Sequence, residues 1–553
     1  YVYCNNFVPG GHADIAGVLV AENNIRFTAS SNTVSSSLAV VSKNGNIDLT
    51  AGSQEFNGIV YAPKGSISLG GVTTVHGNLI AQKLNLTSAI QIYPLTDGII
   101  DDLYDKVLKI LGVKPSDVIG FKINKRSIDA RDKSIIYYIF EVLVELASYD
   151  LVKYSNDVLW YDDVSYSFSN IGTSKINNKI VVVGSGPCGL FCAYKLAQYG
   201  YKPLVIERGE KTFDRVSSVE KFWNTGVLNK ESNVLFGEGG AGTFSDGKLN
   251  TLVKDKRNLM SEVFKIFVEN NAPEEITYIK NPHIGTDLLR NIVVNMRNKI
   301  IEMGGEFRFS TKLNDINVSS DKLVSITVND NEVIPCSVLV LAIGHSATDT
   351  IKMLYNKGIK MSNKPFAVGL RVMHDQELIN KNQYGDYSSF LDPASYKLTH
   401  VTSDNHGVYS FCMCPGGYVV NSSSEEGRLV INGMSNYKRN SGVANSAIVV
   451  SVSEKDYGSN LFDGLKFQQS LEEKAYKIGN GSIPIQKYID FKNNVYKDDY
   501  EVNDSVIKGS YSYANLRKIF PDFISKNFIL GMEYFNKKIP GFSNDDVLLL
   551  GVE

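Results

Sequence analysis

An α/β fold is predicted by two features of the sequence. Residues 180–206 contain, in order, a continuous apolar run, a glycine-rich turn, a helical pattern and a second apolar run, which is the order of a βαβ unit. Residues 17–85 repeat a short β pattern at a period of about 20 residues. The sequence therefore predicts a Rossmann-like domain with an inserted, mostly β domain after it, and a small α/β unit and an N-terminal β-solenoid before it.

The composition is that of a folded protein without an unusual charge. The chain has 553 residues, 43% hydrophobic and 21% charged, and its 57 basic and 59 acidic side chains give a net charge of −2. The sequence lacks the blocks of Lys and Arg that are typical of a nucleic-acid or membrane surface. It also lacks an apolar run near the roughly 18 residues that span a membrane. The six cysteines show no doubled C-x-x-C pattern, so we expect neither a disulfide scaffold nor a zinc site, and a reducing, cytoplasmic location.

The N-terminal repeats begin at Gly17, Ser37, Gly58 and Gly77, and a turn cluster and a second alternating run follow. Two short β runs per repeat are typical of a stacked β-solenoid, in which each rung packs only against its neighbours, with a β-meander as the alternative. The segment resembles the β-helical segments of bactofilin-like and bacterial surface proteins. It carries no cluster of catalytic residue types, so its candidate role is self-association.

The small α/β unit is predicted from a strand at residues 90–95 and a helix whose apolar residues recur from Leu103 to Leu111, where Gly112 ends the run. A strand near residue 120 and the apolar run 135–146 follow.

The glycine-rich turn has the spacing of a phosphate-binding loop. Gly184 permits the tight turn, Gly186 lets backbone amides approach a pyrophosphate, and Gly189 lets helix and strand pack closely. Glu207 follows the second apolar run, where an acid accepts hydrogen bonds from ribose hydroxyls and disfavours a 2′-phosphate. The sequence therefore predicts a site for FAD or NAD in preference to NADP. A second glycine-dense stretch at residues 236–248 would let backbone lie against a large flat ligand, with a surface linker as the alternative.

From about residue 90 to the end, the chain resembles the bacterial FAD-dependent dehydrogenases of the glutathione-reductase-like, two-dinucleotide-binding flavoproteins. The segments that carry the resemblance lie at residues 125–131, 181–193, 236–249, 282–290, 341–347 and 409–417. The resemblance implies FAD as the cofactor and NAD(P)H as a candidate electron donor. It implies FAD contacts at Gly184, Gly186, Gly189, Glu207, Gly239, Gly240 and Thr243, and a later strand that brings Ala342 and Gly344 beside the flavin.

Three further expectations concern the chain ends, residue 373 and one helix. The chain opens on Tyr1 and not on Met, which suggests a fragment at the N-terminus. It ends at Glu553, whereas the relatives continue into a glycine-rich segment that completes the flavin pocket. Met373 stands where the family tends to carry a carboxylate. Asp287 is expected to cap a helix whose apolar face, at residues 288–300, is core.

Few side chains need be reactive in a flavin enzyme, because the cofactor supplies the redox chemistry. Cys412 and Cys414 lie two residues apart in a strand-like run and would share one face, either as a dithiol that relays electrons or as small buried residues. His345 follows the later strand and could donate to flavin or substrate, or make a structural hydrogen bond. No metal-ligand spacing is present among the histidines, cysteines and acids.

The predicted domains are a β-solenoid (1–88), the small α/β unit (89–170), the FAD-binding Rossmann-like domain (171–365), an inserted substrate domain (366–522) and a return to the FAD domain (523–553). The favoured function is an FAD-dependent oxidoreductase, a dehydrogenase that acts on a small-molecule substrate by hydride transfer through the flavin. The alternative is a non-catalytic scaffold that assembles through the β-solenoid and carries an inert flavin domain.

Overall fold

The computed structural model describes most of the chain in two compact units. The described residues are 2–6, 18–26, 38–49, 54–69, 73–86, 90–93, 96–150, 152, 155–162, 166, 172–251 and 253–553. One unit takes its residues from 1–121 and 144–161, and the other from 122–143 and 162–553. The Rossmann-like region and the C-terminal region both belong to the second unit.

The first unit contains an eight-stranded sheet and one long helix. Its elements are β1 (Val2–Cys4), β2 (Val18–Ala21), β3 (Ile25–Arg26), β4 (Leu38–Ser42), β5 (Ile47–Leu49), β6 (Gln54–Leu69), β7 (Thr73–Leu86), β8 (Ile90–Tyr93) and α1 (Thr96–Leu111). A hairpin of β9 (Val118–Asp129) and β10 (Tyr137–Leu146) is divided between the two units. Gly112, with φ +70, follows α1 as the sequence predicts.

The strands of the first unit pair in parallel with the strand of the next repeat. Val18 pairs with Ala39, Leu38 with Gly58, and Gly58 with Gly77, so partners lie about 20 residues apart along the chain. Small and branched apolar side chains stack between the strands and are buried: Leu19, Ala21, Ile25, Val40, Ile47, Leu49, Val60, Ala62 and Ile67. The β-solenoid itself stays a prediction, because most segments that connect the repeats, including residues 27–37, lie outside the described residues.

The second unit begins with alternating strands and helices. Its elements up to residue 356 are β11 (Lys179–Val183), α2 (Pro187–Gln198), β12 (Leu204–Ile206), α3 (Thr212–Thr225), α4 (Leu259–Glu269), α5 (Thr286–Glu302), β13 (Glu306–Arg308), β14 (Leu313–Ser319), β15 (Lys322–Val328), β16 (Glu332–Leu341) and α6 (Thr348–Asn356). The strands form one six-stranded sheet in the order β13-β12-β11-β16-β15-β14.

The centre of this sheet is parallel and covered on both faces. β11 pairs in parallel with β12, through Val182 and Val205, and with β16, through Val182 and Val340. The helices α2 and α5 contribute to the core on one face, and the hairpins of β14, β15 and β16 contribute to the core on the other. Because β11 is buried on both faces, its sequence is a continuous apolar run and does not alternate with polar residues. The predicted return of the later strand to this sheet is confirmed.

Helix α5 differs from the sequence interpretation at its first turn. Gly285 is the N-cap residue, and Asp287 lies inside the helix, where its carboxylate accepts a hydrogen bond from the backbone N–H of Tyr437 at 2.8 Å. The expectation that Asp287 caps the helix is therefore wrong, because a distant loop supplies its partner. The predicted apolar face is buried at Leu289, Ile292, Val293, Met296 and Ile300.

The rest of the second unit is built on a seven-stranded sheet and a three-stranded sheet. Its elements are β17 (Phe366–Asp375), α7 (Gln376–Tyr384), β18 (Thr399–Val401), β19 (Gly407–Cys414), β20 (Gly417–Asn421), β21 (Ile431–Ser435), β22 (Val443–Val452), α8 (Glu454–Tyr457), α9 (Asp463–Ile478), β23 (Ile483–Lys487), α10 (Tyr488–Asn493), β24 (Ile507–Lys508), β25 (Tyr511–Tyr513), α11 (Asp522–Asn536) and β26 (Leu548–Leu550).

The larger sheet has the order β18-β19-β22-β17-β26-β23-β25, and β20 pairs with β21 and β24 in the smaller one. Strand β26 lies between β17 and β23, whereas sequence analysis assigned residues 523–553 to the Rossmann-like domain. The predicted substrate domain contains helices as well as strands. Many of its apolar and aromatic side chains are buried in one hydrophobic core, which accounts for its composition. Among the described residues, no helix is long and apolar enough to cross a membrane.

Substitution of one buried aromatic side chain tests this core. Phe535 on α11 is 0% exposed and packs edge-to-face on Phe542. We expect Phe535→Ala to lower the free energy of unfolding by about 3–5 kcal/mol, because it removes buried apolar area and leaves a cavity. Urea unfolding measures the change. The matched control is Phe390→Ala at a side chain that is 62% exposed, and equal unfolding midpoints for the two variants would contradict the packing described.

Candidate functional site

The turn between β11 and α2 has the geometry that its glycines predict. Gly184 has φ +97, and a Cβ there would lie 2.4 Å from the carbonyl oxygen of Ala342. A Cβ on Gly189 would lie 1.9 Å from the carbonyl oxygen of Gly184, so helix and strand are packed as closely as a glycine allows. The N–H of Gly184 donates to the carbonyl of Ile206 at 2.8 Å, which ties the turn to β12.

The N-terminus of α2 is open to an anion. Gly186 is the N-cap residue, no side chain caps the helix, and Pro187 occupies its first turn. Uncapped N–H groups and the helix dipole favour a phosphate at such a terminus. A Cβ on Gly186 would meet only the Cα of Gly240, at 3.8 Å. The space in front of the turn is therefore open because residue 186 has no side chain. The residues of the turn therefore fit a pyrophosphate.

Glu207 lies at the end of β12 and binds three segments at once. One carboxylate oxygen accepts hydrogen bonds from the N–H and the hydroxyl of Ser185, at 2.8 and 2.9 Å. The other oxygen accepts from the N–H groups of Gly209 and Gly237, at 3.0 and 3.1 Å. A carboxylate has about four acceptor positions, so all are in use. A ribose hydroxyl could be accepted here where the Ser185 hydroxyl now donates, because that hydroxyl can rotate away.

The glycine-dense loop is held by Arg215, which sequence analysis did not identify. Its fully buried guanidinium donates to the carbonyls of Asn233, Val234 and Glu238 and to the hydroxyl of Thr243, at 2.7–2.8 Å. Burial lowers the pKa of Arg215 to about 9, although Glu207 and Glu238 oppose the effect. The side chain thus replaces the backbone hydrogen bonds that this irregular loop lacks.

The predicted residues of this loop have different positions. Gly240 lines the cavity described below, and its Cβ position would lie 3.1 Å from the Cα of Gly186. Gly239 and Thr243 lie behind the surface: the N–H of Gly239 donates to the carbonyl of Ser185 at 2.9 Å, and the hydroxyl of Thr243 donates to the carbonyl of Gly240 at 3.0 Å. These two residues shape the loop, and only Gly240 of the three faces the cavity.

The end of β16 supplies the opposite wall. The N–H of Ala342 donates to the carbonyl of Val183 at 2.8 Å, and Gly344 turns the chain with φ +71. His345 follows, with its Nε2 atom 3.2 Å from the hydroxyl of Ser346. Burial lowers the pKa of His345, so the ring is neutral at neutral pH and can donate one hydrogen bond and accept another.

These segments enclose a cavity of about 470 Å³ at the carboxyl ends of β11, β12 and β16. In an open parallel sheet this edge is where ligands bind. Of the sequence-predicted residues, those that line the cavity are Gly184, Gly186, Glu207, Gly240, Ala342, Gly344 and His345. Gly189 lies behind the turn, where it sets the distance between helix and strand.

A network of ion pairs borders the cavity. Arg208 lies 2.7 Å from Glu231 and 3.1 Å from Asp349, and Lys312 lies 2.7 Å from Asp349. Although burial alone would raise it, the pKa of Asp349 is held well below its usual range by hydrogen bonds from Lys312 and Arg208. Two cations thus remain fixed beside the cavity at neutral pH.

The two candidate cysteines lie elsewhere in the second unit and do not line this cavity. Residues 408–411 of β19 pair regularly with β22, but the register shifts between Phe411 and Cys414, and Cys412 has φ +46. The expectation of a regular strand is therefore wrong here, because a bulge turns the chain at Cys412. The Cys414 side chain is buried, and its Sγ lies 3.9 Å from the Nζ atom of Lys248.

The other histidines make local contacts. His374 is buried and its Nε2 atom lies 2.8 Å from the carbonyl oxygen of Phe542, and His283 stacks on Tyr437. In the part of the chain that the structure describes, no group of three or more His, Cys, Asp or Glu side chains could hold a metal ion.

Three cations were not identified from the sequence: Arg215 and Arg371, which are buried, and Lys248, which is half-buried. Arg371 is 0% exposed and forms a salt bridge with Glu553 at 2.6 Å. A positive charge inside an apolar strand pattern, as at Arg371, is itself a signal, because an unpaired charge is seldom buried. The partner could not be read from the pattern, since it lies far along the chain.

Comparison with known families identifies three regions. A model of the FAD-dependent protein, C-terminal domain-like family matches residues 365–553, and a model of NAD(P)-binding Rossmann-like domains matches residues 182–243. A domain of unknown function matches residues 83–145. A Clostridium beijerinckii protein described as "Uncharacterized protein" is 44% identical over 478 residues, which is 84% of this chain and 89% of that protein.

Solved structures show weaker likenesses. THI4 of Thermovibrio ammonificans matches 34% of this chain and 66% of its own, with 17% identity and a TM-score of 0.22. The L-proline dehydrogenase of P. horikoshii matches 35% and 60%, with 18% identity and a TM-score of 0.20. A mutant of halogenase PltM in complex with FAD matches 54% and 56%, with 11% identity and a TM-score of 0.28. The chain thus spans less than two thirds of each of these solved chains.

The family matches support FAD as the cofactor and a flavin-dependent oxidoreductase in the general sense. They give no support to the scaffold alternative. The likeness of the N-terminal repeats to bactofilin-like proteins stays a prediction.

A side chain added in front of the turn tests the cavity as the cofactor site. We expect Gly186→Val to fold but to lose FAD binding, because φ at Gly186 is −69 and the added atoms would fill the space before the helix N-terminus. Measured FAD retention after gel filtration should fall at least tenfold. Gly172→Val is the control, since a Cβ there meets nothing within 4 Å. Equal retention by both variants would place the cofactor elsewhere.

Removal of the guanidinium tests the role of Arg215. We expect Arg215→Met to raise amide hydrogen exchange across residues 233–243, because three carbonyls lose their donors at a cost of about 1–3 kcal/mol each. Lys221→Met, at an exposed position of the same helix, should leave the exchange unchanged. Unchanged exchange in the Arg215 variant would mean that the loop is held in another way.

Proposed function

This chain belongs to the same family as the Clostridium beijerinckii protein, and we propose that it is an FAD-dependent oxidoreductase of the dehydrogenase type that transfers a hydride between a small organic substrate and the flavin. The observation that carries the proposal is the cavity at the carboxyl ends of β11, β12 and β16, with an uncapped helix N-terminus and two glycine-rich segments on its walls. This combination suits a dinucleotide that has both a pyrophosphate and flat ring systems.

Within this proposal, each wall of the cavity has its own task. The turn at Gly184 and Gly186 places the uncapped N-terminus of α2 at the pyrophosphate. Glu207 accepts from a ribose hydroxyl, and Gly240 lets the loop approach the cofactor backbone to backbone. Gly189 keeps α2 against β11, while Gly239 and Thr243 hold the loop in shape.

When bound, FAD supplies the acceptor for the hydride, and the protein positions the substrate against it. Ala342 and Gly344 present backbone at the wall made by β16. The neutral ring of His345 is suited to orient a bound group through one hydrogen bond, because its pKa is lowered by burial. NAD(P)H is the proposed electron donor, and in that direction it would reduce the flavin, which would then pass the hydride to the organic substrate.

The division into domains is also part of the proposal, except that β26 of the last segment, residues 523–553, pairs with β17 and β23 and not with the Rossmann-like sheet. The parallel pairing of successive repeats supports a β-solenoid for residues 1–88, and we propose that its role is self-association and not chemistry. Residues 366–522 would provide the substrate face.

The proposal is tested on the full chain, purified, incubated with FAD and separated from free cofactor. We expect the visible absorption of bound flavin, and bleaching when NADH or NADPH is added without oxygen. Dithionite is the control, since it reduces the flavin whether or not a nicotinamide donor can. A protein that stays colourless after reconstitution would overturn the proposed cofactor site. Bleaching by dithionite alone would refute only the role of the nicotinamide donor.

A further inference from the structure

A pair of cysteines in the C-terminal region is shaped for redox chemistry of its own. In a regular strand, residues two apart are separated by about 6–7 Å, whereas a disulfide needs Cβ atoms about 3.5–4.5 Å apart. At Cys412 the chain departs from the strand with φ +46, and the register against β22 shifts before Cys414. The Sγ of Cys414 donates to the carbonyl of Cys412 at 3.3 Å. The bulge therefore turns the Cys414 thiol back against Cys412.

The surroundings of the pair carry an excess of positive charge. The charged groups that act on the two thiols or on their neighbours are Lys248, Arg371, Arg439, Asp246 and Glu553. Three of these are cations and two are carboxylates, and each carboxylate already has a cation: Arg439 pairs with Asp246 at 2.5 Å and Arg371 with Glu553 at 2.6 Å. The charge of Lys248 is only partly matched, by Asp246 at 3.3 Å. One thiolate would bring the net charge of these groups from +1 to zero.

The neutral groups nearby do not change this balance. Tyr396 lies close enough to act on Arg371 and Cys414, but burial raises the pKa of its hydroxyl well above the usual value, so the side chain is neutral. Burial also lowers the pKa of His283 to about 4, so its ring is uncharged at neutral pH.

The two sulfurs differ in access and in acidity. Cys412 is half-buried, whereas Cys414 is fully buried. The hydrogen bond with Cys414, assisted by Lys248 and Arg371, holds the pKa of the Cys412 thiol below its usual value, and the same bond raises the pKa of Cys414. The sulfur that a solvent molecule can reach is therefore also the better nucleophile.

We propose that Cys412 and Cys414 form a redox-active dithiol site that reduces low-molecular-weight disulfides by thiol–disulfide exchange. The Cys412 thiolate attacks one sulfur of the disulfide, which forms a mixed disulfide and releases the first thiolate. Cys414 then gives its proton to solvent and attacks the Sγ of Cys412, which closes the Cys412–Cys414 bond and releases the second thiolate. The external disulfide gains two electrons, and the pair loses two. This step needs no flavin, so it does not rest on the proposed function.

The site is tested by equilibrating the reduced full chain with mixtures of oxidised and reduced glutathione and then alkylating the remaining thiols. Trypsin cleavage after Lys397 and Arg428 gives one peptide that contains both cysteines and no others. We expect this peptide to lose the mass of two hydrogens and to escape alkylation as the mixture becomes oxidising. If both thiols stay open to alkylation throughout, or if only the glutathione adduct accumulates, the proposal is refuted.

The order of attack is tested by trapping the intermediate. In Cys414→Ala, Cys412 should retain one glutathione, because no second thiol displaces it, while Cys412→Ala should acquire far less. Cys4→Ser is the control variant in the first unit and should behave as the parent chain. Retention on Cys414 in the Cys412 variant, and none on Cys412, would reverse the assigned roles and contradict the access argument.

The positioning role of Lys248 is tested by pH dependence. We expect Lys248→Met to slow alkylation of Cys412 at neutral pH about tenfold, which corresponds to a rise of one unit in the midpoint of its pH profile. Lys248→Arg should restore most of the rate because it keeps the positive charge. A lower rate at every pH without a moved midpoint would indicate a purely structural role. All assays are run with and without added FAD, so that failure of flavin binding and failure of the dithiol are distinguished.

Discussion

The buried carboxylate of Glu207 is the interaction on which the cavity depends. Its two oxygens hold the turn after β11, the chain after β12 and the glycine-dense loop, through donors on Ser185, Gly209 and Gly237. These segments have few regular backbone hydrogen bonds of their own, so a shared acceptor fixes their relative positions. The same constraint has a cost in chemistry: a ligand hydroxyl that is to reach Glu207 must take the place of a protein donor.

Arg215 supports the same loop from the opposite side. Together the carboxylate and the guanidinium form a polar interior beneath the glycines, and the glycines in turn allow the chain to pass close to both. Gly237 shows how tight this arrangement is, because a Cβ there would lie 2.4 Å from the Cδ atom of Arg215. The shape of the cavity thus comes from side chains that do not all face it.

The features that the sequence could predict are those encoded by residues close together along the chain. The βαβ unit was recognisable because its strand, turn and helix are consecutive, and each glycine has a separate steric reason. Asp287, the bulge at Cys412 and the placement of β26 could not be predicted, because each depends on a partner distant along the chain. Arg371 and Glu553 are 182 positions apart, and no periodicity encodes such a pair. Long-range pairing therefore limits the prediction at the cysteines more than at the glycine-rich turn.

The position of β26 has a consequence for how the protein is made. Strand β26 lies between β17 and β23, so those two strands cannot join into one sheet until residues 548–550 have left the ribosome. During synthesis the facing edges of β17 and β23 are unpaired templates for other chains. The Rossmann-like sheet has no such delay, since all its strands precede residue 342. In the second unit the Rossmann-like sheet can therefore form before the seven-stranded sheet, whose two facing edges stay open to pairing with other chains until β26 is added.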